Sequence, residues 1–212
     1  IGEDDITVGI FYRIDKLEAA GRPRLLESIE FQDLSRVPLA QAFREKASGV
    51  VFTVVVNHLK SKGSCPEDGP NSNLGDGQGC WNLARKEAAR AMSDWVRTIA
   101  ESDSQGRALI LGDMNAYRME DPIRAIIESG FKDLKASGPV GLEYSFIYGG
   151  EAGTLDYAFA SSGLLPFVRS TRILNINSPY PMGLSLPQPW LGSSDHDPVV
   201  VDLRLRQSAT PD

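Results

Sequence analysis

Val50–Lys62 reads VVFTVVVNHLKSK, and everything else in the chain can be placed outward from it. Its first eight residues, Val50–Asn57, are five valines with a Phe, a Thr and a closing Asn. That density of β-branched side chains reads as a buried strand. The strand stops at Asn57-His58, and Lys60 and Lys62 follow at once. A histidine at a strand terminus can protonate a leaving oxygen while neighbouring lysines meet phosphate. A surface histidine beside ordinary lysines is the plainer reading of the same residues.

Upstream, Pro38–Lys46 has the pattern of a second strand, and the apolar alternation of Ile6–Arg13 predicts another. Downstream, the spacing predicts a helix over Leu83–Ala100, with Asn82 as its N-cap and a stripe of Ala84, Ala88, Ala91, Trp95 and Ile99. Arg107–Leu111 reads as a buried strand and Asp121–Ser129 as a short helix with Pro122 in its first turn. Further strands are expected near Tyr144–Tyr148, Thr154–Ala160, Thr171–Ile176 and Val199–Leu205. Strands and helices interleave, with strands in the majority, so the class is α/β or α+β in layers. One domain is expected over residues 1–206, with a polar tail or linker at 207–212.

Composition restricts the partners. The formal charge of −6 and pI near 5.0 argue against a protein that holds polyphosphate by bulk positive charge. A nucleic-acid substrate would need local cations, bound or built in, to offset the repulsion. No apolar run approaches the roughly 18 residues of a membrane-spanning helix. The opening IGEDDITVGIFYR lacks the pattern of a signal peptide and runs straight into an expected strand, so the chain is expected to begin inside a domain. Cys65 and Cys80 flank the polar loop CPEDGPNSNLGDGQGC and read best as a disulfide, worth on the order of 3 kcal/mol. A disulfide points to an extracellular, periplasmic or cell-surface location; two unrelated thiols are the alternative, and zinc is disfavoured for lack of further ligands nearby.

Four more clusters sit at expected strand ends. Asp113 and Asn115, in Gly112-Asp113-Met114-Asn115, can orient water or bind a hard cation, or can simply form an Asx turn. Asp156 interrupts an apolar strand, where a buried carboxylate needs a partner such as an imidazole; an exposed strand edge is the alternative. Asp195-His196-Asp197 combines a cation ligand with a tunable base, against a plain polar loop. Arg36, just before Val37-Pro38, can clamp a phosphate or be solvated. Tyr180 and Trp190, in the Pro-rich stretch Ser178–Gly192, are candidates for stacking on bases or touching lipid, or for loop packing.

The order and spacing of these clusters resemble the endonuclease/exonuclease/phosphatase superfamily, the deoxyribonuclease I-like proteins. Within it the similarity is greatest to secreted bacterial nucleases. It rests on NHLKSKGS at Asn57–Ser64, GDMNAY at Gly112–Tyr117, EAGTLDY at Glu151–Tyr157 and SDHDPV at Ser194–Val199, with DGQGCWN in the cysteine loop, and runs from about Asp4 to Leu205. The resemblance implies a four-layer α/β/β/α sandwich and a metal-dependent nuclease acting on extracellular DNA. Magnesium or manganese is the implied cation, with calcium also admitted. His58 would be the general acid or phosphate donor, with Asp156 holding its ring, and His196 would take a proton from, or orient, the attacking water. Asp195 would ligate the cation, Asp113 would position water or a second cation, and Asn115 and Arg36 would meet the phosphate, with Asn57 and Lys60 as further substrate contacts. Asp4 is the position that best matches a carboxylate partner for His196. The family's opening Asn and metal-ligating Glu have no match, so the opening strands are expected upstream of Ile1. A phosphatase or phosphodiesterase for nucleotides or phospholipids, and a non-catalytic fragment of a larger surface protein, are the alternative functions.

Overall fold

A computed structural model describes residues 6–32, 34–134, 143–180, 188 and 190–205. The valine-rich run becomes β4 (Val51–His58), and the strands around it are β1 (Leu17–Ala19), β2 (Arg24–Leu25), β3 (Arg36–Glu45), β5 (Ala108–Asp113), β6 (Lys132–Asp133) and β9 (Asp156–Ala160). They lie in the order β1-β3-β4-β5-β9-β6, with β2 also paired to β3. β4 and β5 are parallel and therefore need a crossover, which is the long helix α1 (Asn82–Ser104). The short α2 (Asp121–Glu128) lies beside it.

One face of the sheet buries Val55, Ile110 and Phe159 under Ala88, Met92 and Val96 of α1 and Ile123 and Ile126 of α2. The other face, with Phe43, Phe52, Leu109 and Ala160, packs on Leu164 and on a two-stranded sheet of β10 (Val168–Ile173) and β11 (Val199–Leu203). A hairpin of β7 (Phe146–Tyr148) and β8 (Glu151–Gly153) stands apart. Helix, sheet and second sheet are three of the layers expected; the described residues include no helical layer outside β10–β11. The two-layered sheet with helices on one side is a mixed α/β architecture.

Two expectations are corrected. Ile6–Arg13 is not a strand among the described residues. Phe11 is wholly exposed, and the segment is tied down by a ring contact between Tyr12 and Phe43, centroids 4.8 Å apart, instead of by a ladder. The β3 edge is instead taken by Leu17–Ala19 and Arg24–Leu25. In α1 the N-cap position is Trp81, in the left-handed region at φ 63°, and the side chain of Asn82 binds Asp121. Asn71, from the cysteine loop, reaches in instead and accepts the N–H of Ala84 at 3.0 Å. The buried stripe keeps Ala88 and Ile99 but is centred on Arg85, Ala89, Met92 and Val96, leaving Ala84, Ala91 and Trp95 on its flanks.

Candidate active site

Strand register alone assembles the site. Arg36 pairs with His58 across β3 and β4, His58 with Asp113 across β4 and β5, and Asp113 with Asp156 across β5 and β9. Four chemistry-bearing residues thus stand in one row at one end of the sheet. Alternation decides which face they use. His58 follows the phase of Val54, and Asp113 that of Leu109 and Leu111, both on the side facing the second sheet. Arg36 would fall out of phase, but the four residues Arg36–Leu39 of β3 oppose the three residues Val56–His58 of β4. That bulge returns the guanidinium to the face of His58. Gly112 permits the last step: its φ is +145°, and a Cβ there would lie 2.0 Å from the carbonyl oxygen of Asn57.

The pairing of acids with histidines differs from the expectation. Asp156 meets His196, with Nδ1 to Oδ2 at 2.7 Å, not His58. The reason is strand order: β5 lies between β4 and β9, so His58 and Asp156 are two strand spacings apart, about 10 Å. His196 arrives from the loop before β11, held by a backbone bridge to Phe146. Arg36 Nη1 meets His58 Nδ1. A guanidinium only donates, so Nδ1 accepts there and the ring proton sits on Nε2, 3.6 Å from Asp113 Oδ2.

Asp113 is partly buried, and desolvation first, then the charge of Asp156, pushes its pKa up to about 6 against the pull of the Asn115 N–H, His196 and Arg36. His196 moves up to about 9, chiefly through its hydrogen bond to Asp156, with burial opposing. One ligand atom from each of Asp113, Asp156 and His196 lies within 4.8 Å of the others.

Other expected site residues fall elsewhere. Asn57 shares the helix-side phase of Val55 and donates to the Leu111 carbonyl at 2.9 Å. Asn115, left-handed at φ 46°, completes an Asx turn by giving its N–H to Asp113 Oδ1 at 2.7 Å, while its amide holds the Leu59 carbonyl at 2.9 Å. It therefore ties the loop after His58 to that after Asp113. The Lys60 ammonium folds back on Ser61 and Gly63 and lies 5.2 Å over the Trp81 ring. Asp195 is exposed and outside the acidic cluster, because its neighbour His196 points inward. Cys65 and Cys80 are bonded. Tyr180 and Trp190 are exposed, and Asp4 lies outside the described residues.

Two supports, Ser145 and Arg85, are not singled out by the sequence, and a third, Asp197, is read there only as part of the Asp195-His196-Asp197 cluster. Buried Asp197 accepts the N–H groups of Asn177 and Ser178, the Asn175 amide and the Ser178 hydroxyl, which fixes the loop carrying His196. Ser145 Oγ accepts the N–H groups of Leu155 and Asp156 at 3.1 and 3.0 Å. Fully buried Arg85 donates to the carbonyls of Lys60, Cys80 and Gln78. The one available signal was position: Arg85 stands one turn before Ala88, Ala89 and Met92, where a helix of this spacing turns inward.

No protein-family model and no curated protein matches this sequence. Solved structures do match the fold. One is an endonuclease/exonuclease/phosphatase from Bacteroides vulgatus, 22% identical with a TM-score of 0.60 over 91% of this chain and 69% of that one. This is the endonuclease/exonuclease/phosphatase fold. The catalytic domain of human Nocturnin, with a bound sulfate anion, is 18% identical at TM-score 0.59 over 90% of this chain and 61% of its own. A mannosyl-6-phosphatase from Bacteroides thetaiotaomicron is 18% identical at TM-score 0.61, covering 91% and 69% respectively. The chain thus spans 61–69% of the length of these structures.

On this endonuclease/exonuclease/phosphatase fold the donor set fits a hard divalent cation. Asp113 and Asp156 face each other closely enough for the charge of one to raise the pKa of the other. A cation between them would relieve that repulsion, and oxygen ligands suit magnesium, manganese or calcium.

Proposed function

We propose that this chain hydrolyses phosphodiesters with the help of a divalent cation, and that its substrate is nucleic acid outside the cell, DNA foremost. The observation that carries this reading is the row Arg36–His58–Asp113–Asp156, closed by His196 on Asp156. Asp113 and Asp156 would hold the ion, which when bound supplies charge stabilisation to a phosphoryl oxygen. Arg36 and the Nε2–H of His58 present donors where negative charge accumulates. Asp156 fixes the ring of His196 through Nδ1, leaving Nε2 for the attacking water or a phosphate oxygen. Asn115 and Asp197 position these groups. The Cys65–Cys80 disulfide supports an oxidising location.

A second reading, a phosphatase or phosphodiesterase for small phosphate esters, is favoured by the mannosyl-6-phosphatase among the fold neighbours. Plasmid nicking with magnesium or manganese is expected, with loss in EDTA and in His196→Ala. Cleavage of phosphomonoesters but not of plasmid would favour the second reading, and no hydrolysis under any cation would remove both.

A further inference from the structure

The β7–β8 hairpin carries more than a backbone bridge to His196. Its register sets Phe146 against Gly153 and Tyr148 against Glu151. Opposed residues share a face, and so do residues two apart on one strand. Phe146, Tyr148 and Glu151 therefore look out on one side, together with the bare Cα of Gly153. The gap left by that glycine is filled from another element. A Cβ on Gly153 would lie 2.4 Å from Cε1 of Tyr117, so the Tyr117 ring rests there, beside Phe146. Tyr117 comes from the loop four residues past Asp113. Three rings from two elements thus line one face.

The inner end of this face is the candidate active site. The Phe146 ring lies 4.7 Å from the ring of His196, tilted by 35°. At the outer end, the plane of Tyr148 is within 12° of that of Phe146 with centroids 6.3 Å apart, and Tyr148 is 74% exposed. Packing gives no reason for so exposed a ring at a hairpin. Lys62, from the loop after His58, holds its ammonium 4.4 Å over the Tyr117 ring, where it also pairs with the buried Glu120 carboxylate. Near-parallel aromatic planes that run from the candidate-site histidine out to solvent match one ligand chemistry: a flat heterocycle attached to a phosphate.

We propose that Tyr117, Phe146 and Tyr148 form a cradle for an unpaired nucleobase next to the scissile phosphate, which makes the preferred substrate a flexible single-stranded polynucleotide. The inference rests on the phosphodiesterase reading and deepens it. A duplex keeps the faces of its bases stacked inside, whereas a single strand can offer a base to an aromatic ring. Sugar phosphates and lipid headgroups bring no aromatic plane to stack between near-parallel rings, and neither would quench or be sensed as a base in the test below. Tyr148 and Phe146 are specificity-determining residues here, and Gly153 is a positioning residue that leaves room for Tyr117.

The test is equilibrium binding in EDTA, where hydrolysis does not interfere, using a short oligonucleotide containing 2-aminopurine, whose fluorescence is quenched on stacking. Wild type is expected to quench the probe and to bind it more tightly than the same sequence as a duplex. Tyr148→Ala should weaken binding by about 5- to 150-fold, the range of a lost base stack, and Tyr148→Trp should restore it. Gly153→Ala, which pushes the Tyr117 ring aside, should weaken it in the same direction. On an oligonucleotide with abasic residues, wild type should fall to the level of Tyr148→Ala, because ring and base act as one interaction. An equal loss on abasic and base-bearing strands, no loss on either, or preference for the duplex would overturn the cradle. Equal affinity for the 2-aminopurine mononucleotide would overturn the polynucleotide assignment. Quenching without cleavage in magnesium would keep the cradle and sink the hydrolase; cleavage without quenching would do the reverse.

Discussion

At the scale of single residues, the site is set by which charges are forced together. Asp113 has its pKa raised to about 6 and His196 to about 9. Both groups bind more protons folded than unfolded, Asp113 between about pH 4 and 6 and His196 between about pH 6.5 and 9. Stability therefore falls as pH rises through each window. Each shift corresponds to on the order of 3 kcal/mol, less what solvent screens. In EDTA, denaturant midpoints should drop from pH 4 to pH 6, and Asp113→Asn should flatten that limb while leaving the one above pH 6.5. A divalent cation should remove the lower drop, since it favours the ionised carboxylate; an unchanged lower limb in Asp113→Asn would show that another group carries it. For hydrolysis, Asp156→Asn should lower kcat by about 10²- to 10⁴-fold, as expected for losing an oriented acid–base histidine, and it should also remove most of the stability limb above pH 6.5, which the Asp156–His196 bond creates. His58, Asp113, Asp156 and His196 were legible from the sequence because each is a titratable residue where an apolar run stops. Their partners were not: which acid reaches which imidazole depends on β5 lying between β4 and β9, and strand order is a long-range property that no local pattern encodes.

At the scale of elements, the N-terminus of α1 is where the cysteine loop and the active-site loop are joined. Arg85 donates to Cys80 and Gln78 on one side and to Lys60 on the other. Burial lowers its pKa, while Glu120 and Asp113 work the other way. Arg85→Met would leave three loop carbonyls short of a donor, and chemical denaturation should show a loss of about 3 kcal/mol. Reducing Cys65–Cys80 should destabilise by on the order of 3 kcal/mol. Because both act on the Cys80 backbone, the two losses should be less than additive when combined; strict additivity would show that the loop and helix are independent. The helix itself was readable to within a turn, from its alanine-rich period. Its true inward face was not, since an arginine on the stripe reads as a surface residue until the carbonyls that satisfy it are known. Likewise the alternation of Ile6–Arg13 is a genuine strand pattern, but alternation does not choose a partner, and in the described structure it is Leu17–Ala19 and Arg24–Leu25 that pair with β3.

At the scale of the whole molecule, the proposed reading requires a chain of net charge −6 that would bind a polyanion to confine its positive charge to the site. Among the described residues, Arg36 and His196, whose pKa is raised to about 9, are the cations beside the candidate phosphate position; the Lys62 ammonium is paired with Glu120, and that of Lys60 is turned onto its own loop. A second basic feature exists far away: a cavity of about 600 Å³ lined by Arg22, Arg24 and Arg44. Arg44 pairs with Val51, at the opposite end of β4 from His58, and Arg24 is already committed to Asp103 at 2.8 Å. A strand held only at the site should release few counterions. With about 0.7 per neutralised phosphate on single strands, two cations give a slope near −1.4 for log affinity against log salt. Oligonucleotide anisotropy in EDTA across a salt series should return a slope of that size, and Arg36→Met should make it shallower by about 0.7. A slope steeper than about −4 would mean that the polynucleotide wraps round to the arginine cavity, and Arg22→Ala with Arg44→Ala would then bring it back. The shallow slope ties affinity to the rings and the cation instead of to bulk charge, which is how an acidic protein can hold a nucleic acid at all.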